Sequence, residues 1–398
     1  MTEQESSFPN ELQDQIIEHL CNEPTSLAAC SLVSSQWSER ARTLLFSNAT
    51  ANIFGDINYV DDYSAEKFTK FVELLQAPRS QLGRFIQRIC IHGQDIFEDV
   101  ESERASPERY SHLSSILRVV LPRINRVGEI KLVAVTWKMI PRDLKVQLGL
   151  FSKVVSLSWV RIHIDRLDQL ILFSAANFPM LKTLRIEELA VKAVSSIERS
   201  MFVQNQNWFA SLRSLSLFVE ESTVPFVVAL SSNIVIPIQN IDTLDFEVSH
   251  WDYLGCIDSI LRAAGPTLSV LKLQIDIYDP FLDNPEFELI PSLRQMAKLK
   301  ALHFDRTPNK RDLIWIRNIL RTTSFAIRKL EEIHLSLSHS ELDFPSLEHA
   351  ILDQHAPNMK VIVKPIEWAH QKSQLLATLE QSLPELSRRG QVHFCGWE

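Results

Sequence analysis

Glycine is scarce in this chain, with nine in 398 residues, and every one stands alone. Neither GxGxxG nor GxxxxGK[ST] occurs, so no run of backbone amides is available to cradle a phosphate. Basic residues are also short. The 41 Lys and Arg against 49 Asp and Glu leave a net charge of -8. That balance, with a pI near 5.9, argues against a general nucleic-acid binder, because phosphate contacts need a concentrated excess of Lys and Arg. Long apolar runs are missing too: "VVALSSNIVIPI" is short and interrupted beside the roughly 18 residues a membrane span requires. The opening "MTEQESSFPN" is acidic and polar where a secretory signal would carry a basic start and an apolar stretch. Five cysteines, at 21, 30, 90, 256 and 395, are odd in number, scattered and without CxxC spacing, which fits reduced thiols. The expectation is a soluble cytoplasmic or nuclear chain with no nucleic-acid and no membrane partner.

Catalytic constellations are absent as well. No HExxH occurs, and the pairs His334/His339 and His349/His355 miss the i, i+4 geometry of a helical metal pair. Cys21 and Cys30 fall in helical stretches without a basic neighbour to activate a thiolate. The reading is a non-catalytic chain with no cofactor and no metal.

What is present is repetition. A chain of 398 residues exceeds the roughly 250–300 at which one compact core stops growing, so several domains or an elongated repeat are expected. The pattern apolar-x-x-apolar-x-apolar begins at Ile86, Val127, Val154, Leu181, Leu212, Ile241, Leu268, Leu299 and Leu330, with a weaker copy, "MKVIVK", at Met359. Successive starts are 41, 27, 27, 31, 29, 27, 31, 31 and 29 residues apart, a spacing too even for chance. Each copy ends in a short alternating strand, and stretches such as "LGCIDSILRAA" and "DLIWIRNILRTT" follow with helical spacing. The one long interval holds "QDIFEDVESERASPER", whose six carboxylates face only Arg104 and Arg109, and it reads as a solvated loop. At the other end, "SQLLATLEQSL" and "QVHFCGW" read as a terminal helix and strand capping the stack.

Residues 8–48 precede the repeats and read as three short helices. Asn10 is placed to cap the first, with Leu12, Ile16, Ile17 and Leu20 on one face. Leu27, Cys30 and Val33 point inward from the second. Ser34 or Ser35 caps a third that carries Trp37, Ala41, Leu44 and Leu45. About forty residues is close to the lower limit for independent folding, so part of this apolar surface should be covered by something else.

"FPNELQDQIIEHL" followed by "SLAACSLVSSQWSERARTLLF" resembles the F-box motif, the matching positions being Pro9, Glu11, Leu12, Ile16, Leu20, Leu27, Leu32, Val33 and Trp37. The period and strand pattern beyond it resemble leucine-rich repeats, except that the usual Asn or Cys position holds Glu220, Ser249, Asp276 and Thr307. Without that ladder of side chains the turns must satisfy their backbone groups by other means. The resemblance implies an α/β repeat: an F-box-like unit at 8–48, a helical connector at 49–80, and an irregular leucine-rich-repeat-like solenoid with a C-terminal cap at 81–398. It implies a substrate-recognition adaptor of a Skp/cullin/F-box ubiquitin ligase. Phe8, Pro9, Leu12, Ile16, Leu32, Val33 and Trp37 would then bind a Skp-family adaptor and, through it, a cullin. The alternative is a non-ligase repeat scaffold whose N-terminal helices cap the solenoid.

For a protein substrate, the alternation of each strand points a second set of residues to the concave face. These are Arg185 and Glu187, Ser216 and Phe218, Asp245 and Glu247, Lys272, His303 and Asp305, and Glu332 and His334. They would form one mixed-charge patch with Phe218 as an aromatic anchor. His303 and His334 fall beside each other in that register, short of the three or four ligands a metal site needs.

Overall fold

The computed structural model describes residues 9–47, 70, 72–78, 80–92, 118–191, 209–221, 223–231, 237–249, 253–275, 293–307, 316–320, 330–337, 344–352, 359–365 and 381–394. The chain divides into two compact units, Met1–His163 and Ile164–Glu398.

The first unit opens with three helices, α1 (Asn10–His19), α2 (Pro24–Cys30) and α3 (Ser35–Ser47). Pro24 begins α2 at a position where its missing N–H is not needed. Ser34 caps α3, its Oγ accepting the Trp37 N–H at 3.2 Å. The cap of α1 differs from expectation. Asn10 is already helical, and Pro9 holds the cap position, its carbonyl accepting the N–H groups of Leu12 and Gln13 at 3.1 Å. Ile17, Leu27, Cys30 and Ala41 are buried at the centre, with Leu20, Trp37, Leu44 and Leu45 packed around them.

Three of the positions expected on inward faces point out instead. Val33 lies in the turn after α2 ends at Cys30, and it is 64 % exposed. Leu12 and Ile16 do not share the buried face of Ile17. One residue along a helix is a rotation of about 100°, which carries Ile16 out of the core that Ile17 fills.

Residues 72–76 are helical, with Leu75 buried, and its carbonyl accepts a hydrogen bond from Arg123 Nη1 at 2.7 Å. Strands β1 (Arg88–His92), β2 (Glu129–Val133) and β3 (Ser156–Ile164) then run parallel, with Ile89, Ile130 and Leu157 in register. Helix α4 (Arg142–Gly149) lies between β2 and β3 and buries Leu144 and Leu148.

The second unit continues the alternation. Its elements are α5 (Leu167–Asn177), β4 (Thr183–Val191), β5 (Ser214–Val219), α6 (Val224–Ser231), β6 (Thr243–Val248), α7 (Leu254–Ala264), β7 (Val270–Ile275), β8 (Ala301–Thr307) and β9 (Glu332–Leu337). Helix α8 (Phe344–Leu352), β10 (Lys360–Pro365), α9 (Pro384–Arg388) and β11 (Val392–Phe394) complete it. Within each unit strand order follows chain order, β1 to β3 in the first and β4 to β11 in the second, and the pairs are parallel. The class is therefore an α/β repeat in which a strand pairs with the strand of the next turn. Helix α7 illustrates the helical half: Leu254, Ile257, Ile260, Leu261 and Ala264 are buried along one stripe.

All nine strong copies of the pattern place their three apolar residues inside, from Ile86, Ile89 and Ile91 to Leu330, Ile333 and Leu335. The weak tenth copy breaks step. Met359 is buried, but Val361 and Val363 are the inward pair of β10, and Ile362 is the register partner of the outward His334. One residue fewer separates anchor from strand there, and a one-residue slip exchanges the faces.

The turns satisfy their backbone without an Asn ladder. The carbonyl following seven of the anchors accepts two N–H groups of the next turn: Gln87 from Gly128 and Glu129, Gly128 from Val155 and Ser156, Lys182 from Arg213 and Ser214, Arg213 from Asp242 and Thr243. Asp242, Ser269 and Lys300 do the same for the three turns beyond. Before the anchor, a tight turn donates its N–H three residues back, as in Val154 to Phe151, Leu181 to Phe178, Leu212 to Phe209 and Leu299 to Met296. Side chains supply the rest: Thr267 Oγ1 donates to the Ile241 carbonyl and Ser269 Oγ to that of Asp242, each at 3.0 Å.

Three successive turns carry an extra residue. Ala134, Arg161 and Glu188 have φ of 51°, 56° and 50°, each two places after the last apolar residue of its pattern copy, Leu132, Trp159 or Ile186. Val135, Ile162 and Leu189 are buried one place later, whereas Val219 and Val248 are buried without the insertion. A left-handed non-glycine residue is costly, so the burial that follows it must hold it in place.

Gly83 is required by close approach: a Cβ there would sit 2.0 Å from the Arg123 carbonyl oxygen. Gly83→Ala is expected to lower the stability of the first unit by about 2 kcal/mol or more, because that oxygen belongs to backbone and cannot swing away. Thermal unfolding of the full chain checks this, and an unchanged transition would show that the two segments are not in contact.

Candidate functional site

Two surfaces carry the candidate residues. On the three-helix segment, Leu12 is 45 %, Ile16 42 %, Leu32 84 % and Val33 64 % exposed, and Pro9 is exposed beside them. Four large apolar side chains on so small a segment are an unusual exposure, of the kind that marks a protein contact. Trp37 does not join them. It is half-buried against the small core, and its Nε1–H donates to Gln13 Oε1 at 2.6 Å. Phe8 lies outside the described residues. In the same unit, Leu74, Ala77, Pro78, Ser80 and Leu82 line an open apolar hollow of about 520 Å³ that the sequence reading did not single out.

The second surface is the outward face of the strands in the second unit. Arg185, Ser216, Asp245, Lys272, His303 and His334 are successive register partners from β4 to β9. Phe218, Glu247, Gln274 and Asp305 form the next row, from β5 to β8. The pattern-derived residues thus come together as two rows across neighbouring strands, except Glu187, beyond the register of β4 with β5, and Glu332, level with Ala301. Gln274 and Ser336 belong to the same face and were missed. Each directly follows the last inward residue of its strand, as Phe218 and Glu247 do, so the period alone would have found them.

Most of the charge on this face is held by neighbours. Arg185 donates to Glu187. Ser216 Oγ donates to Asp245 Oδ2 at 3.4 Å, Gln274 Nε2 to Glu247 Oε1 at 2.7 Å, and Ser336 Oγ to Asp305 Oδ1 at 2.8 Å. Burial pushes the Asp245 carboxyl above the usual carboxylate range; Lys272 and Arg185 oppose the rise and Asp305 adds to it. His334 Nε2 lies 3.0 Å from Glu332 Oε2. The rings of His303 and His334 stack with centroids 3.9 Å apart and planes 9° from parallel. Burial, then the neighbouring His334 and Lys272, push His303 down to about 4, against the pull of Asp305 and Glu332.

Phe218 is half-buried, and the backbone behind it is braced. Its carbonyl accepts the Thr223 hydroxyl at 2.9 Å, and the same oxygen of Thr223 accepts the Glu220 N–H at 2.9 Å. Such bracing presents an aromatic ring with little freedom left to lose on binding. Among the described residues, no group of three or more His, Cys, Asp or Glu could hold a metal ion, and no helix is long and apolar enough to cross a membrane.

No protein-family model matches the chain, and no curated protein matches it at a significant level. Among solved structures, it is similar to a chain in the crystal structure of the yeast Rad7 and Elc1 complex. The two are 13% identical over 92% of this chain and 90% of that chain, with a TM-score of 0.35. A likeness of that depth is too shallow to fix the fold by itself.

Asp245 allows a test of the desolvation on this face. Its folded pKa is raised, so the ionised form costs stability at neutral pH, and the cost disappears as pH falls through that pKa. Asp245→Asn is therefore expected to melt at the same or a higher temperature than wild type at pH 7. The difference should close below about pH 4, where the unfolded carboxyl is protonated as well. A clearly lower melting temperature at pH 7 would mean that Lys272 and Arg185 outweigh burial.

Proposed function

We propose that the chain is a non-catalytic substrate receptor of a Skp/cullin/F-box ubiquitin ligase, and that its fold is an F-box-like unit followed by a leucine-rich-repeat-like solenoid. In this reading Leu12, Ile16, Leu32 and Val33, with Phe8 and Pro9, meet the Skp-family adaptor, which in turn meets a cullin. The observation that carries the reading is the outward placement of those four apolar side chains, at the positions where the F-box motif has its apolar residues, on a three-helix segment whose buried centre, among the described residues, is Ile17, Leu27, Cys30 and Ala41. Helix packing against a partner is the physical remedy for such a surface. Trp37 serves the same contact indirectly, by fixing α3 to α1 through Gln13.

The strand face would receive the substrate. Phe218 supplies an apolar anchor, and Arg185, Glu187, Asp245, Glu247, Lys272, His303, Asp305 and His334 set the charge pattern around it. The chain's contribution to transfer would be proximity, since holding a substrate lysine near the loaded ubiquitin carrier raises its effective concentration.

Co-expression with a Skp-family adaptor and size exclusion test the first contact. Wild type is expected to elute as a one-to-one complex, and Leu12→Asp with Leu32→Asp to weaken it at least tenfold without changing the circular dichroism of the chain. Adaptor binding by that variant at wild-type strength would sink the assignment of these residues. For the second contact, Phe218→Ala with Asp245→Lys should lose at least tenfold in affinity for a captured substrate while keeping the adaptor. Full retention would move the substrate site off the strands.

A further inference from the structure

His303 and His334 are register partners on β8 and β9, and their rings lie face to face, 3.9 Å between centroids. Stacking of this kind suits two neutral imidazoles. Two imidazolium rings at that distance, partly withdrawn from water, would repel far more strongly than the same charges in bulk solvent.

The charges around the pair are unequal on its two sides. Lys272 of β7 is the register partner of His303 and adds positive charge beside it. Asp305, on β8 itself, already accepts the Ser336 hydroxyl at 2.8 Å. On β9, Glu332 lies 3.0 Å from His334 Nε2, whereas among the described residues His303 has no hydrogen bond to a carboxylate. From β10, Lys360 and Lys364 are the register partners of Glu332 and Ser336. Asp245 of β6 stands one strand beyond Lys272. A proton entering the pair therefore has a carboxylate waiting at His334 and a lysine opposing it at His303.

We propose that the His303–His334 stack is a proton-operated switch on the strand face, closed while both rings are neutral and opened in acid, once both rings carry a proton. Closed, the two rings form a flat ridge between Lys272 and Ile362. Opened, the row gains positive charge and β8 and β9 lose a side-chain contact. The device belongs to the chain alone and stands whether or not the face receives a ubiquitin-ligase substrate.

The direction of the pH dependence follows. The folded chain holds His303 down to about 4 against an ordinary value of 6.5, so over that interval the unfolded chain takes up a proton that the folded chain resists. The stability supplied by the neutral stack is whole above about pH 6.5 and declines as pH falls toward 4. Because the rings are partly open to solvent, the loss is expected to be roughly tenfold in the folding equilibrium rather than the full value the shift implies.

The test uses the full chain with carbon-13-labelled histidine and no partner, so its failure is separate from failure of the receptor reading. Nuclear magnetic resonance should show the His303 ring staying neutral from pH 8 to below 5 in wild type. In His334→Gln its midpoint should rise by at least half a unit, because the competing ring is gone. Hydrogen exchange of residues 301–307 and 332–337, corrected for the intrinsic pH dependence, should be at least threefold faster at pH 5.5 than at 7.5 in wild type and unchanged in His303→Phe. If His303→Phe does not fold, His334→Phe serves the same comparison. His303 titrating near 6.5 and indifferent to loss of His334 would overturn the proposal, as would exchange that does not quicken with acid.

Discussion

One backbone interaction organises the repeat: the carbonyl after seven of the anchor residues accepts two N–H groups from the following turn. A parallel strand that starts beside its predecessor must place its first amides somewhere, and buried amides without acceptors are costly. In turn after turn a single oxygen takes both, at Gln87, Gly128, Lys182, Arg213, Asp242, Ser269 and Lys300. The neighbouring anchors, such as Val127, Val154 and Leu212, are fully buried, so these bonds lie at the edge of the core. The side chain of the bonding residue is immaterial, which is why the position tolerates Gln, Gly, Lys, Arg, Asp and Ser.

That tolerance frees the outward positions. With the core held by alternate apolar residues and the turn by backbone, the remaining residues of each strand need only be compatible with partial exposure. The result is a face where Asp245, Glu247 and Asp305 are held mainly by neutral or hydroxyl donors and where Phe218 and the two stacked histidines supply ring surface. The three N-terminal helices follow the opposite logic. Their centre holds only four buried residues, and several of their apolar side chains remain in solvent. A surface of that kind is stable in water only at a cost, which a binding partner would remove.

Much of the repeat was legible because a period near 29 residues and a period of two within each strand are written in apolar residues. The same reasoning placed Arg185, Asp245, Lys272, His303 and His334 in one row. It failed where a single residue was gained or lost. Met359 precedes its inward pair by one residue fewer than the other anchors, and Ala134, Arg161 and Glu188 are extra residues with positive φ, and a pattern of apolar spacing carries no mark of either. The sequence carries a further signal: an apolar residue three places before the anchor, as at Phe151, Phe178, Phe209, Ile238 and Met296, closes the turn into those strands. On the three helices, the split between inward Ile17 and outward Ile16 depends on where the other two helices pack, which residue type does not encode. The stacking of His303 on His334 likewise needed the register between strands, known only once the turn lengths were set.

The most direct measurement is a hydrogen-exchange footprint of the full chain with and without a saturating Skp-family adaptor. Protection confined to the peptides covering residues 12–37, with β4 to β9 unchanged, is the expected result and would place the adaptor on the exposed apolar helices. Unchanged exchange throughout residues 12–37 would contradict the receptor reading and leave the chain a repeat scaffold whose first helices serve only the chain itself.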